Sequence, residues 1–168
     1  SLAIGAIGIN PRNANVMLRG TGEGYVLSPL LQNGIGVLKS IDGGLTWNAT
    51  ALSFPDSLDF FAALGFAWDP VDSSRVYLAC TYGIFVSTDE GSNWMQTLPG
   101  VATAIAMNPQ NPAILYASLQ DIPPFSLGGI YRSTDNGLTW GLLNNGLPAS
   151  VNVGFTSLSK KQSHLLLL

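Results

Sequence analysis

Apolar residues in this chain fall in short runs, each closed by a polar or Gly/Pro-bearing turn. Ala6-Ile7-Gly8-Ile9, Val76-Tyr77-Leu78-Ala79-Cys80 and Ile84-Phe85-Val86 are examples. No stretch sustains apolar spacing at i, i+3, i+4 and i+7, so the pattern predicts almost no helix and many short strands. The runs also recur in a fixed order. An apolar strand ends at Asn10-Pro11, again at Asp69-Pro70 and again at Asn108-Pro109, where proline fixes φ and stops the strand. A second strand follows each time, over residues 15–20, 75–80 and 113–118. A third strand then leads into a polar octet and a fourth leaves it. Four strands per repeat predict one propeller blade.

The octets set the period. Residues 40–47, 87–94 and 133–140 read S-x-D-x-G-x-[T/S]-W, and their first residues are 47 and 46 positions apart. Such spacing suits blades of roughly 40–50 residues. An Asp bonds backbone N–H groups just after it, and a Gly two places on accepts φ > 0, so the octet reverses a hairpin. The structural set is Ser40, Asp42, Gly44 and Trp47, then Ser87, Asp89, Gly91 and Trp94, then Ser133, Asp135, Gly137 and Trp140. Each Trp is too large to leave exposed and is expected to pack beneath its own hairpin. Asn93 replaces Thr in the second octet, so that turn is expected to be bonded differently.

On these octets the chain resembles the Asp-box (bacterial neuraminidase repeat) propellers, which include sialidases, xyloglucanases, sortilin-type receptors and a plant photosystem assembly factor. The resemblance implies that the box is a structural turn far from the ligand pocket, which makes Asp42, Asp89 and Asp135 poor catalytic candidates. The fold expected is an all-β, partial β-propeller of about three and a half four-stranded antiparallel blades. Blade 1 covers about residues 1–52, blade 2 about 60–98 and blade 3 about 100–145. Laid 51 positions back on the third repeat, residues 157–168 match 106–117, so about 150–168 read as half a blade. His164 falls in its turn as a solvated loop residue. Known propellers have roughly 4–8 blades. The expectation is therefore a fragment, completed by the remaining blades of a parent chain or by a second copy. The start at Ser1, without a Met or signal peptide, likewise suggests a processed or excised chain.

Composition narrows the function classes. Only 10% of the 168 residues are charged while 46% are apolar, with 19 Gly and 10 Pro, a balance suited to strands and tight turns. A net charge of −3 with seven scattered basic residues argues against nucleic acid and anionic membranes. No run of apolar residues is long enough to insert in a bilayer. The one cysteine, Cys80, sits in an apolar run without a histidine and reads as a buried, inert thiol. No Cys/His cluster or calcium loop appears, so neither a metal nor any cofactor is expected. Gly22-x-Gly24 lacks the G-K-[S/T] of a phosphate loop.

Binding residues on a rigid scaffold collect where loops are long. Opposite the octets, the second-to-third-strand loop is long in repeats 1 and 3, over residues 21–34 and 120–128. In repeat 2 it is only Thr81-Tyr82-Gly83, no more than reversal requires. The passage from blade 1 to blade 2 adds Asp56 and Asp59 beside Phe54, Phe60 and Phe61. Ligand-binding candidates are therefore Glu23, Tyr25, Asp56, Asp59 and Asp121, since a ring covers the apolar face of a sugar while a carboxylate accepts its hydroxyls.

Three functions follow. The first is a non-catalytic propeller segment of a secreted or cell-surface protein, binding glycan or protein through this face. The second is a portion of a xyloglucanase- or sialidase-like glycoside hydrolase completed by missing blades, two of these carboxylates supplying the pair that hydrolysis needs. The third is an assembly or scaffold factor. By resemblance a sialidase needs three convergent arginines and a Phe/Tyr-Arg-Ile-Pro motif. That motif is absent, and Arg12 and Arg132 are poorly placed for a central pocket.

Overall fold

A computed structural model describes residues 2–24, 33–54, 60–121 and 128–143, together with the backbone of 158–160 and 165–167. The described residues are all-β, with no helix among them. Blade 1 is β1 (Ile4–Ile9), β2 (Met17–Thr21), β3 (Gly36–Ser40) and β4 (Asn48–Ser53). Blade 2 is β5 (Ala63–Trp68), β6 (Val76–Cys80), β7 (Gly83–Ser87) and β8 (Met95–Pro99). Blade 3 is β9 (Val101–Met107), β10 (Leu115–Gln120), β11 (Gly129–Ser133) and β12 (Gly141–Leu142). Each is an antiparallel meander in which consecutive strands pair. A hairpin of β13 (Leu158–Lys160) and β14 (Leu165–Leu167) follows. His164 lies outside the described residues.

The first strands carry the stacking. β1 lies against β5, β5 against β9, and β13 against β9, so successive blades meet along their inner edges. The core therefore sits between blades. One cluster joins Leu18, Val37 and Leu52 of blade 1 to Phe61, Ala63, Leu78 and Phe85 of blade 2. Two more join Ala79, Ile84, Tyr77 and Val86 of blade 2 to Ala102, Ala117, Met107 and Leu115 of blade 3. Blade 2 is covered on both faces, which is why every residue of β6 and β7 is buried. That double burial explains the unbroken apolar runs at 76–80 and 83–86, where a half-exposed strand would alternate.

The turn after each first strand depends on more than proline. Asn10 Oδ1 accepts N–H groups from Arg12 and Asn13, Asp69 Oδ1 from Val71 and Asp72, and Asn108 Oδ1 from Gln110 and Asn111. An Asx side chain folding onto the backbone it precedes is a turn former in its own right. The first strand pair of every blade also carries a register shift, at Ile4/Ala6, Ala63/Gly65 and Ser118/Leu119. Such bulges increase strand twist near a sheet's end.

The second strands begin one to two residues later than the pattern predicts, at Met17, Val76 and Leu115. The preceding Val16, Arg75 and Ile114 close the Asx turn instead, their carbonyls accepting N–H from Asn10, Asp69 and Asn108.

Candidate functional site

The two ends of the blades are built differently. At the octet end one bonding scheme recurs three times. Ser40, Ser87 and Ser133 Oγ each donate to Oδ1 of the following Asp at 2.7–2.8 Å. The same oxygens accept the N–H of Gly44, Gly91 and Gly137 at 2.8–2.9 Å. Oδ1 of Asp42, Asp89 and Asp135 accepts the N–H of Thr46, Asn93 and Thr139. Oδ2 accepts the side chains of those same residues. Asn93 thus does not bond differently: its Nδ2 donates to Asp89 Oδ2 at 2.7 Å, in the place of the threonine hydroxyl. Each tryptophan Nε1 donates to the carbonyl of the octet glycine at 2.9–3.1 Å.

Donors crowd these carboxylates. Hydrogen bonds from Thr46 and Ser40 lower Asp42 to about 2, and bonds from Thr139 and Ser133 do the same for Asp135. Burial acts upward on Asp89, and the bonds from Asn93, Ser87 and Ser92 outweigh it, leaving the group lowered. A carboxylate this acidic, with both oxygens engaged, is a weak base and has no oxygen left for a substrate.

The octet rim also locks blade to blade. Tyr77 Oη of blade 2 donates to the Asn136 carbonyl of blade 3 at 3.0 Å, and Trp140 Nε1 reaches Thr97 Oγ1 at 3.1 Å. Lys39 of blade 1 donates to Ser92 Oγ at 3.1 Å and pairs with Glu90 at 3.7 Å.

The opposite end is irregular and holds the two described candidates, Glu23 and Asp121. Glu23 is exposed, just beyond β2. Asp121 follows β10; its Oδ1 is shielded and has no hydrogen-bond partner among the described residues. Tyr25, Asp56 and Asp59 lie outside the described residues. Hydroxyl bonds tie the loop roots down. Thr21 Oγ1 donates to the Gly36 carbonyl at 2.7 Å and accepts N–H from Ile35 and Gly36. Thr81 Oγ1 donates to the Phe60 carbonyl at 2.7 Å and accepts the Ala62 N–H.

At the seam of blades 1 and 2 three rings stack. Phe54 lies 4.8 Å from Phe61 and 5.1 Å from Tyr82, the latter pair within 3° of parallel. Phe61 is buried, whereas Phe60, the residue before it, stands 67% exposed. Tyr82 therefore does more than reverse the chain, contrary to the sequence expectation for its short turn. A bulky ring between Thr81 and Gly83, where small residues would serve, was the available signal. Among the described residues no group of three His, Cys, Asp or Glu could hold a metal. Burial pushes the Cys80 thiol up to about 12, which leaves it unreactive.

No family model matches the chain. Xyloglucanase Xgh74A of Acetivibrio thermocellus is 27% identical over 158 residues, covering 75% of this chain and 18% of its own length. A xyloglucanase of a Paenibacillus species is 31% identical over 129 residues, covering 60% of this chain and 12% of the relative. The chain thus spans less than a fifth of the curated relatives it matches. Among solved structures, an ancestral GH74 enzyme superposes with a TM-score of 0.71 at 21% identity, over 98% of this chain and 23% of that one. YCF48 bound to D1 peptide gives 0.60 at 18% identity, over 96% of this chain and 45% of that one. With three four-stranded meanders stacked on their first strands, these likenesses show that the chain has the blade fold of a β-propeller.

Proposed function

We propose that the chain is an Asp-box segment of a glycoside-hydrolase-like propeller, and that it binds glycan through the face opposite the octets. The observation that carries this reading is the Phe54–Phe61–Tyr82 stack, with Phe60, the residue before Phe61, exposed. The stack uses both faces of Phe54, so the rings left for a ligand are Tyr82 at its end and the exposed Phe60. They form an apolar floor that sugar rings would meet with their C–H faces. Glu23, exposed just beyond β2, supplies an acceptor for hydroxyls at the same end of the blades. Likeness to two xyloglucanases favours a β-glucan such as xyloglucan as the ligand, and with it a secreted or surface location.

On this reading the segment contributes binding, and any hydrolysis requires carboxylates from further blades. Titration of xyloglucan oligosaccharides into the chain tests it. Phe60→Ala removes about 1 kcal/mol, roughly fivefold in Kd, with the thermal midpoint unchanged. Unaltered affinity in Phe60→Ala and Tyr82→Ala alike would rule this floor out.

A second reading, a scaffold that holds a peptide, draws on the likeness to YCF48 bound to D1 peptide. It predicts no oligosaccharide heat at all, with a protein partner copurifying.

A further inference from the structure

Cross-strand rows mark the face that each blade turns toward the blade before it. In blade 2 the row is Phe66, Leu78 and Phe85; in blade 3 it is Ile105, Ala117 and Tyr131. Both rows are covered. Leu78 and Phe85 share a cluster with Leu18 and Val37 of blade 1, and Ala117 shares one with Ala79 and Ile84 of blade 2.

In blade 1 the matching row is Ile7, Arg19 and Leu38. It faces away from blade 2. A Cβ added at Gly8 or Gly20 would meet Phe66 of blade 2, so the alternate residues Ile7 and Arg19 point the other way. Ile7 is 62% exposed and the next residue on that face, Ile9, 48%. Their counterparts Phe66 and Trp68 are packed against a neighbouring blade.

Arg19 is the one charged residue in any of the three rows. Its guanidinium lies 4.8 Å from the centre of the Trp47 ring, and its Nε is buried without a hydrogen-bond partner among the described residues. A cation held against a ring with a shielded, unused N–H is costly unless an acceptor arrives.

We propose that the Ile7–Arg19–Leu38 row is the docking face of a further four-stranded blade of the same repeat class, and that this blade sets a carboxylate opposite Arg19. Isoleucines at these exposures run against the alternative of a capping blade, whose outer face would be polar. The proposal does not depend on glycan binding.

The chain itself supplies the probe. Sheet register makes Ala3 the counterpart of Val101, so residues 60–100 joined directly ahead of Ala3 reproduce the junction of blades 2 and 3. In the prefixed copy Ala79 is the residue that faces the Arg19 position, as it faces Ala117 in the chain. Ile9→Cys, with both copies of Cys80 changed to Ala, reports coverage through its rate of thiol labelling.

A prefix carrying Ala79→Asp is expected to slow labelling about tenfold or more, and an unchanged prefix much less. Arg19→Leu is expected to reverse that order. Equal rates with and without prefixes would overturn the docking face, and equal slowing by both would overturn the carboxylate.

Sedimentation of the unmodified chain keeps the idea exposed if a prefix misfolds. The exposed Ile7 and Ile9 drive self-association, and Ile7→Lys with Ile9→Lys removes it. A monomer at every concentration, unchanged by the lysines, would overturn the proposal.

Discussion

The two ends of the blades obey opposite rules. At the octet end, three turns share one hydrogen-bond scheme, and every carboxylate oxygen in it is engaged. At the other end the loops differ in length from blade to blade, an aromatic stack stands at one seam, and a shielded Asp121 oxygen lacks a partner among the described residues. Repetition goes with satisfied bonds because each octet must do the same mechanical task, closing a hairpin, and the second and third also dock on the preceding blade. Variation goes with unspent chemistry. The acids that look most chemical in the sequence are those most fully consumed by structure.

The largest expected break in that pattern comes from an octet glycine. Gly91 has φ +83°, and a Cβ there would lie 2.6 Å from the Leu18 methyls of blade 1. Gly91→Ala combines the left-handed backbone cost of about 1–2 kcal/mol with overpacking of about 1–3 kcal/mol. Gly44 provides the control. Its φ is +91°, but its nearest neighbours would be 3.5 Å away, since no described blade precedes blade 1. Gly44→Ala should cost only the backbone contribution, about 1–2 kcal/mol. Urea unfolding of the two variants separates turn strain from blade docking. Equal losses would mean that the octet glycine serves only its own turn.

Ser133→Ala is next. Ser133 is buried, and its Oγ both accepts the Gly137 N–H and donates to Asp135. Removing it strands a buried donor, at about 1–3 kcal/mol. Calorimetry should show the midpoint falling by several degrees, about 4 °C or less per kcal/mol for a chain of this size.

Why the octet end was readable and the other was not follows from these residues. A Ser, an Asp, a Gly and a Trp at fixed offsets satisfy each other within eight positions, so the local sequence carries the whole geometry. Even the Asn93 substitution was misread only in detail, because an amide can donate where a hydroxyl does. The Asx turns at Asn10, Asp69 and Asn108 were visible as prolines, although the side chain before each proline makes the bonds. The aromatic stack is another matter. Phe54, Phe61 and Tyr82 come from the end of one blade, the start of the next and a turn within it, and nothing local announces that they meet. Arg19 is harder still, since its significance lies in comparison with Leu78 and Ala117, across sheets whose register only coordinates reveal.

A smaller effect should appear in acid. Asp42 and Asp135 sit at about 2 in the folded chain, below the usual aspartate range, because hydroxyl and amide donors favour the ionised form. The unfolded chain binds these protons first as pH falls. The stability they lend is therefore complete above the unfolded value and drains away as pH drops from about 4 toward 2. Thermal midpoints measured across that window should fall, and the fall should be shallower in Asp42→Asn with Asp135→Asn. A double variant with an unchanged acid slope would mean that the octet carboxylates are not what acid attacks.

The smallest effect makes the sharpest test of what an octet needs. Asn93 and the two threonines stand at the same position and send the same pair of donors to the Asp, one from the backbone and one from the side chain. If the requirement is a donor of suitable reach, Asn93→Thr leaves stability within about 0.5 kcal/mol, as surface changes do. Asn93→Ala keeps the backbone bond but leaves Asp89 Oδ2 short of a partner, and should cost about 1 kcal/mol or a little more because the acceptor is charged. Paired urea titrations resolve the difference. A gain from Asn93→Thr well beyond that margin would show that the second octet has been held below its optimum, and that the three turns are less alike than their bonds suggest.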